Sequence, residues 1–499
     1  MIGVCYGAVA DGLDATIVKV EADVGRGLPQ FSIVGLPDSA VTESRLRIRS
    51  AIQNAGLEFP RGRITVNLSP ASVRKHGAGL DLAIAIAILR STGWVPNVID
   101  RVVGFCAELS LSGDLVQVPG ILNLALAFQK HHIVQAVVAI PQQSDLIPLP
   151  NFTWVPFHSL GKVAEFLRDP ATTIPEVVVQ GIEPAFLELE DEGDFSEVAG
   201  MEQVKRALTI AAAGRHHILL IGPPGCGKTM ISERFPSIMP RLSSMEALEV
   251  YAIHQASGIA RQPSLTPPFR MPHHTLTTAG LIGGGAPVTA GEVTLAHRGV
   301  LVLDELLEFQ RTTLDALREP LVSKQLRMTR GGRSAILPAD FILVGTLNPC
   351  PCGQRGFADC RCTDSIVTRY WSRLSGPFLD RVDLVVHVHP NRTRQNASER
   401  GESSASRVIR RRVEAARLAL ANPDSASPLG HEMERRPLVM NRAARELLQR
   451  AGTGLQLSRR AMLSITRVAQ TIGALDEQEE IRSEQIEEAL ALRSHIQLS

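Results

Sequence analysis

Three groups of residues in this 499-residue chain have the types and spacing to do chemistry. The first is Gly222-Pro-Pro-Gly-Cys-Gly-Lys-Thr229, which reads G-x-x-x-x-G-K-T. The apolar run His217-Ile-Leu-Leu-Ile221 precedes it and Met230-Ile-Ser-Glu-Arg234 follows. Strand, glycine loop and helix start, in that order, surround an anion with bare backbone N–H groups. Gly222, Gly225 and Gly227 let the backbone approach phosphate oxygens, and Pro223, Pro224 and Cys226 complete the loop. Lys228 offers a point charge to the β/γ-phosphates of ATP and Thr229 a hydroxyl to Mg²⁺. The second group ends the run Gly299-Val-Leu-Val-Leu-Asp304-Glu305. Two carboxylates closing an apolar strand are costly without a partner. Beside a phosphate loop that partner is Mg²⁺, with Asp304 holding the hydrated cation and Glu305 orienting and deprotonating the attacking water. The third group is Cys350, Cys352, Cys360 and Cys362, spaced C-x-C-x₇-C-x-C. Four thiolates on one loop can close around a tetrahedral Zn²⁺. The turns are tighter than C-x-x-C, so a redox switch and ordinary loop cysteines remain alternatives.

The totals narrow the class. Hydrophobic residues at 44% and charged residues at 21% suit a folded soluble chain. The length suggests about three domains. With 52 basic against 51 acidic residues, nothing pulls the whole chain toward nucleic acid or membrane, so any basic surface is local. The start, Met1-Ile-Gly-Val-Cys-Tyr6, lacks the basic region of a secretory signal and leads to Asp11 and Asp14. The apolar run from Leu82 to Leu89 is too short for a bilayer and reads as a core helix. Seven cysteines, an odd number, point to a reducing cytosol. A cytoplasmic protein with no membrane partner is expected.

Periodicity supplies the elements that must position these groups. Strands are expected over 16–24, 31–37, 64–68, 102–105 and 134–140. Helices are expected over 39–55, with Asp38 or Ser39 as cap, and over 81–89 and 121–128. Together they make an α+β domain over 1–168. Residues 169–194, with Pro170, Pro175, Pro184 and an acidic end, read as a linker. A nucleotide-binding core is expected over 195–390, containing the cysteine loop 350–362 and a helix over 202–213. The polar stretch 391–405 reads as a flexible connection. Residues 406–499 read as a helical bundle, with helices over 408–420, 441–451, 458–472 and 483–493.

Several longer stretches carry a resemblance. They are Gly27-Leu-Pro-Gln-Phe-Ser-Ile-Val-Gly-Leu-Pro-Asp38, Asn67-Leu-Ser-Pro70, Glu108-Leu-Ser-Leu-Ser-Gly-Asp114, Met271-Pro-His-His-Thr275, Ala279-Gly-Leu-Ile-Gly-Gly-Gly285 and Gly291-Glu-Val-Thr-Leu-Ala-His297. They resemble the ComM/YifB-type magnesium-chelatase-like proteins, and the likeness runs over essentially the whole chain. It implies an α/β multidomain fold: a Lon-protease-like (ribosomal S5 domain 2-like) α+β N-terminal domain, an AAA+ P-loop NTPase core with a parallel sheet, and a helical C-terminal lid. Asn348, closing the apolar stretch 341–347, matches the sensor-1 position. Arg381 matches an arginine finger offered to a neighbouring subunit, with a local ion pair to Asp380 or Asp383 as the alternative. Arg460, in Leu457-Ser-Arg-Arg-Ala461, matches sensor 2. Lon-type proteolysis needs a Ser nucleophile and a Lys base. Here Gly79-Leu-Asp-Leu82 replaces the Ser stretch and apolar Leu122 stands in the stretch that should hold the base. A non-proteolytic binding or assembly module is expected.

Arg327 and Arg330-Gly-Gly-Arg333 read as a hairpin with a basic tip. In related ring ATPases this hairpin faces the pore, where it would grip DNA phosphates without reading bases. A solvated charged turn is the alternative. The adjacent His273 and His274 point different ways, which favours structural or intersubunit contacts over metal. The expected activity is Mg²⁺-dependent ATP hydrolysis by a homo-hexamer assembled on ATP. Through the resemblance, its expected substrate is single-stranded or branched DNA, in branch migration during recombination and natural transformation. Protein remodelling, a magnesium-chelatase-type metal-insertion motor and a nucleotide-gated scaffold stay open.

Overall fold

The structure, a computed structural model, describes the chain except residues 12, 72–74, 98–102, 141–145, 170–178, 181–185, 187–192, 260–261, 286–287, 331–332, 357, 390–404, 422–438 and 494–499. Residues 391–404 of the expected flexible connection and most of the expected linker therefore lie outside the described residues. Two compact units result: Met1–Phe186 with Tyr251–Pro263, and Leu187–Val250 with Ser264–Ser499. No described helix is long and apolar enough to cross a membrane.

The first unit is built on an eight-stranded mixed sheet. Strand Gly3–Asp11 lies inside it, antiparallel to Asp14–Gly25 and parallel to Val103–Cys106. Sequence pattern alone misses this strand, as it misses Thr153–Phe157 and helix Leu160–Arg168. Glycines weaken a strand signal, but packing requires them here. A Cβ on Gly3 would lie 2.0 Å from Ala87 O, and one on Gly7 2.6 Å from Leu80 Cδ2. The pressing element is helix Asp81–Ser91, whose residues Leu82 to Leu89 are all 0% exposed. A helix apolar on every face is stable only when wrapped on every face. Its N-terminal Asp81 is also buried, which pushes its carboxyl up, while Arg47 and Ser44 pull it back. Arg47 Nε donates to it at 2.9 Å, and Ser44 Oγ donates as well. Helix Ser39–Asn54 starts at Asp38, whose side chain accepts from Val41 N at 2.8 Å. Leu122 is buried on helix Ile121–Lys130.

The second unit centres on a five-stranded parallel sheet in the order Phe269–Arg270, Val300–Leu303, Ile342–Leu347, Ile218–Ile221, Leu384–His387. The three central strands are buried at every residue, as the unbroken apolar runs demand of a sheet covered on both faces. Helices Ser406–Leu420, Arg442–Gly454, Arg459–Leu475 and Ser483–Ala491 form the C-terminal part. Ile409, Val413, Ile465, Val468 and Ile472 share one hydrophobic cluster with Leu208 and Ile218, so the helices close the core of the sheet itself.

A polar joint fixes that closure. Asp383 lies 3.3 Å from His216 Nδ1 and accepts from Ser464 Oγ, while His216 Nε2 meets Thr471 Oγ1 at 2.9 Å. Arg493 donates to Val382 O at 2.8 Å and to Ser464 Oγ at 3.0 Å. Burial opposes the charge on Asp383, but His216, His217 and Ser464 outweigh it and hold the carboxyl well below the usual range. A folded value below the unfolded one adds stability that is complete above about pH 4 and is lost as pH falls below it. Asp383→Asn should therefore destabilise the protein by about 2 kcal/mol at neutral pH. In urea unfolding, the gap from wild type should narrow at about pH 3, where the native carboxylate contributes less.

Candidate nucleotide site

The register of the parallel sheet gathers the site. Leu220 pairs with Thr346, Ile221 with Leu347 and Leu303 with Gly345, so three carboxyl ends finish nearly level. In open α/β sheets the crevice beyond those ends is where ligands bind. The first strand runs on into loop 222–227 and helix Lys228–Arg234, the second into Asp304 and Glu305, the third into Asn348. Gly225 and Gly227 take positive φ, +76° and +89°, the conformation their place in the loop calls for.

Lys228 Nζ donates to Gly222 O at 2.7 Å, Pro223 O at 2.9 Å and Asn348 Oδ1 at 3.2 Å. All three acceptors are neutral. Burial lowers the Lys228 pKa, and the carboxylates of Asp304 and Glu305 draw it back up. Thr229 Oγ1 donates to Asp304 Oδ2 at 3.1 Å. Lys228, Thr229, Asp304 and Asn348 line one cavity of ≈ 360 Å³, together with Pro224, Gly225, Gly227, Met230, Glu305, Thr346 and Leu347. A cation on neutral partners suits a polyphosphate, and a hydroxyl beside a carboxylate is the hard oxygen set that Mg²⁺ prefers. The residues present therefore fit ATP and Mg²⁺. Cys226 is buried, and burial raises its thiol, so it serves the loop as backbone rather than as a nucleophile.

Among the residues not singled out from sequence, two bear on this site. Thr346 is fully buried, donates to Asp304 Oδ1 and accepts from Glu305 N at 3.1 Å. One hydroxyl links both carboxylate residues. Glu305 itself holds φ +50°, a left-handed conformation rare for a residue with a Cβ, of the strained kind found at functional sites. The signal for Thr346 was available: a lone hydroxyl in the buried run Ile342–Leu347 must find a partner. The other residue is Met201, whose methyl lies where a Cβ on Gly227 would come within 2.9 Å of it. Nothing in its type or spacing marks it.

Of the catalytic candidates, Arg381 and Arg460 stand apart from the cavity lining. Arg381 donates to Arg318 O at 2.8 Å and to Pro377 O. Arg460 lies 3.7 Å from Asp380, which also meets Arg493 at 3.7 Å. Burial, then the like charges of Arg460 and Arg318, lower the Arg381 pKa, so the three arginines form one electropositive group.

The hairpin has the expected form. Strands Gln325–Arg330 and Arg333–Pro338 pair antiparallel, with Arg330 opposite Arg333. Leu326, Met328 and Leu337 turn inward, while Arg327 is exposed. The Gly331-Gly332 turn and the side chains of Arg330 and Arg333 lie outside the described residues. The root is held by Asp340, 3.0 Å from Arg215 and 3.3 Å from Arg298. The His273 and His274 rings lie 4.0 Å apart, and His273 Nδ1 meets Thr275 Oγ1 at 3.0 Å.

The four cysteines converge. Their sulfurs all lie within 4.8 Å of one another, the one such group of potential metal ligands found among the described residues. Cys350 Sγ is 3.3 Å from Cys352 Sγ and 3.7 Å from Cys360 Sγ, and Cys352 lies 3.6 Å from Cys360. Tetrahedral Zn–S bonds of about 2.3 Å imply sulfur separations of about 3.8 Å. Backbone hydrogen bonds at Gln354 and Arg361 hold the Cys352 thiol down at about 6.

Comparison with known proteins decides the family. The family model described as magnesium chelatase, subunit ChlI, matches residues 194–396. A second, subunit ChlI of Mg-chelatase, matches 20–142, and a third, the ChlI C-terminal region, matches 401–493. Competence protein ComM of Haemophilus influenzae is 35% identical over 508 residues, covering 100% of this chain and 98% of its own. The chain belongs to the ComM/YifB family of magnesium-chelatase-like AAA+ ATPases. YifB of Escherichia coli is 37% identical over 503 residues, covering 99% and 97% of the two chains. The magnesium-chelatase 67 kDa subunit of Chlorobaculum tepidum is more distant, 25% identical over 157 residues, covering 31% of this chain and 23% of its own. As a ComM/YifB-type protein the chain is an ATP hydrolase, an ATP-driven motor of this broad class that uses ATP with Mg²⁺ and assembles into multimers on it.

Thr346→Val should leave the fold and ADP binding intact and lower the turnover of Mg²⁺-ATP by about 10- to 100-fold, the usual effect of losing a hydrogen bond that orients a metal ligand. A steady-state assay with a parallel ADP-binding titration checks this; unchanged turnover would show that Thr346 does not set the two carboxylates.

Proposed function

We propose that the protein is a ring motor, a homo-hexamer assembled on ATP, that moves on single-stranded or branched DNA and promotes branch migration during recombination of incoming strands. The observation that carries the motor half is the meeting of Lys228, Thr229, Asp304, Glu305 and Asn348 on one cavity. Lys228 and Asn348 hold phosphate oxygens, Thr229 and Asp304 hold Mg²⁺, and Glu305 orients and deprotonates the attacking water. Bound Mg²⁺ neutralises charge developing between the phosphates. Arg381 and Arg460 stand outside that cavity and beside each other. They serve a γ-phosphate held by the adjoining subunit, Arg381 as the finger and Arg460 alongside it.

The DNA half rests on full-length likeness to a competence protein and on the paired basic hairpin. Arg327, Arg330 and Arg333 grip phosphates in the pore. The first unit is a Lon-like module without proteolysis. Asp81, in the stretch that replaces the Ser, is taken up by Arg47 and Ser44, and Leu122 supplies no base. The cysteine cluster holds a structural Zn²⁺, with Cys350, Cys352, Cys360 and Cys362 as ligands. Metal insertion into a porphyrin is the weaker reading, because the 67 kDa chelatase subunit is 25% identical over 31% of the chain, against 35% over the whole chain for the competence protein.

Mixing decides the trans finger. Arg381→Ala and Lys228→Ala should each be inactive alone, and should regain part of the ATPase when combined, since one intact Lys228 then faces one intact Arg381. No recovery in mixed rings would place Arg381 elsewhere. Glu305→Gln protein should form rings with ATP and retain branched DNA at low salt, with affinity falling steeply as salt rises. Rings that bind no DNA would remove the DNA half and leave the ATPase. Purified wild type should carry one zinc per chain and Cys360→Ser much less; metal-free wild type would end the zinc reading.

A further inference from the structure

The cysteine cluster lies against the phosphate loop, and the contact is built from both ends of a six-residue strap. At one end Asn348 Oδ1 accepts from Lys228 Nζ at 3.2 Å. At the other, Gly353 sits on Pro224: a Cβ there would lie 2.5 Å from Pro224 Cδ and 3.2 Å from its Cγ. Gly353 holds φ +77° and closes a turn by donating to Cys350 O at 2.9 Å. The approach is one that only a glycine in this conformation permits. Between the two ends stands Cys350, which is 0% exposed.

The strap is anchored through the cluster. Trp371 Nε1 donates to Pro349 O at 3.0 Å and ties its start to helix Asp364–Trp371. That helix begins directly after Cys362, with Thr363 as its N-cap. Just beyond it, Arg373 donates to Leu307 O at 2.6 Å, two residues past Glu305. A metal joining Cys350 and Cys352 to Cys360 and Cys362 closes a small ring of chain: strap, cluster, helix, Trp371 and back to Pro349. One side of that ring touches Pro224 and Lys228, and the other reaches the turn that carries Glu305. Unbridged thiols offer only weak hydrogen bonds to hold it shut.

We infer that metal at the four-cysteine cluster and nucleotide at the phosphate loop bind cooperatively, with the Gly353–Pro224 contact as the coupling and Gly353 as a positioning residue. This rests on the zinc reading above. Zinc favours the closed strap, the closed strap holds the phosphate loop and Asn348 in the arrangement that receives phosphate, and nucleotide in turn favours the closed strap. Linkage makes the effect reciprocal: the factor by which nucleotide tightens zinc equals the factor by which zinc tightens nucleotide.

The test uses the full chain, stripped of metal with a chelator. Zinc affinity is measured by competition with a chromophoric chelator, with and without saturating ADP and Mg²⁺. The affinity of a fluorescent ADP is measured with and without zinc. Both ratios should agree and reach about five-fold or more. Gly353→Ala, at a residue outside the cavity lining, pushes the strap off Pro224 and should leave one zinc and one ADP per chain while both ratios fall to near one. Pro224→Ala removes the touching atoms from the other side; it lines the cavity and weakens ADP binding itself, but should lower the two ratios in the same way. One zinc per chain with ratios near one in wild type would overturn the coupling and leave the zinc site standing. Failure of wild type to take up zinc would overturn both.

Discussion

Ile221 is paired with Leu347, and Leu303 with Gly345, across a parallel sheet whose three central strands are buried on both faces. The contacts of the nucleotide cavity follow from that register. A slip of one residue would turn each strand over and carry Thr346 away from Asp304. The burial that enforces the register also explains why charged residues appear only past the ends of the three central strands. Inside the strands a charge has no partner; at the ends Lys228, Asp304 and Asn348 find one another or a ligand.

Legibility in the sequence followed distance along the chain. The phosphate loop, the apolar strand before Asp304 and the hairpin around Gly331 are local patterns, and each can be read from a few neighbours. Cysteine spacing showed four thiols on one loop, but not that the loop rests on Pro224, because that contact joins residues far apart in sequence. Strand Gly3–Asp11 was hidden for a related reason. Its glycines look like strand breakers until the buried helix Asp81–Ser91 is laid on them. Thr346 sat inside a run read simply as a buried strand, although its hydroxyl was a question that the run itself posed. The setting of Arg460 beside Asp380 could not be read at all, since the C-terminal helices meet the sheet only through tertiary packing.

Two of the places where the second unit gathers buried polar groups lie away from the nucleotide cavity. One is the joint between sheet and C-terminal helices, where Asp383, His216, Ser464 and Arg493 satisfy one another. The other is the hairpin root, where Asp340 collects Arg215 and Arg298, and Glu249 reaches His297 and Arg298. There the Glu249 carboxyl is held at about 2: burial opposes its charge, but His297 and Arg298 prevail. Such groups are costly unless each is answered, so they constrain geometry as well as stability.

Asp340 and Asn348 stand at opposite ends of strand Ile342–Leu347. At about 3.3 Å per residue they are about 26 Å apart. Arg298 and Asp304 bracket the neighbouring strand Val300–Leu303 in the same way. The hairpin root and the phosphate-binding edge are thus the two ends of the same pair of stiff rods, hydrogen-bonded side by side along their length. The sheet that assembles the cavity also carries the root of the arginine hairpin, and any displacement of one strand along its neighbour would break the register that both ends share.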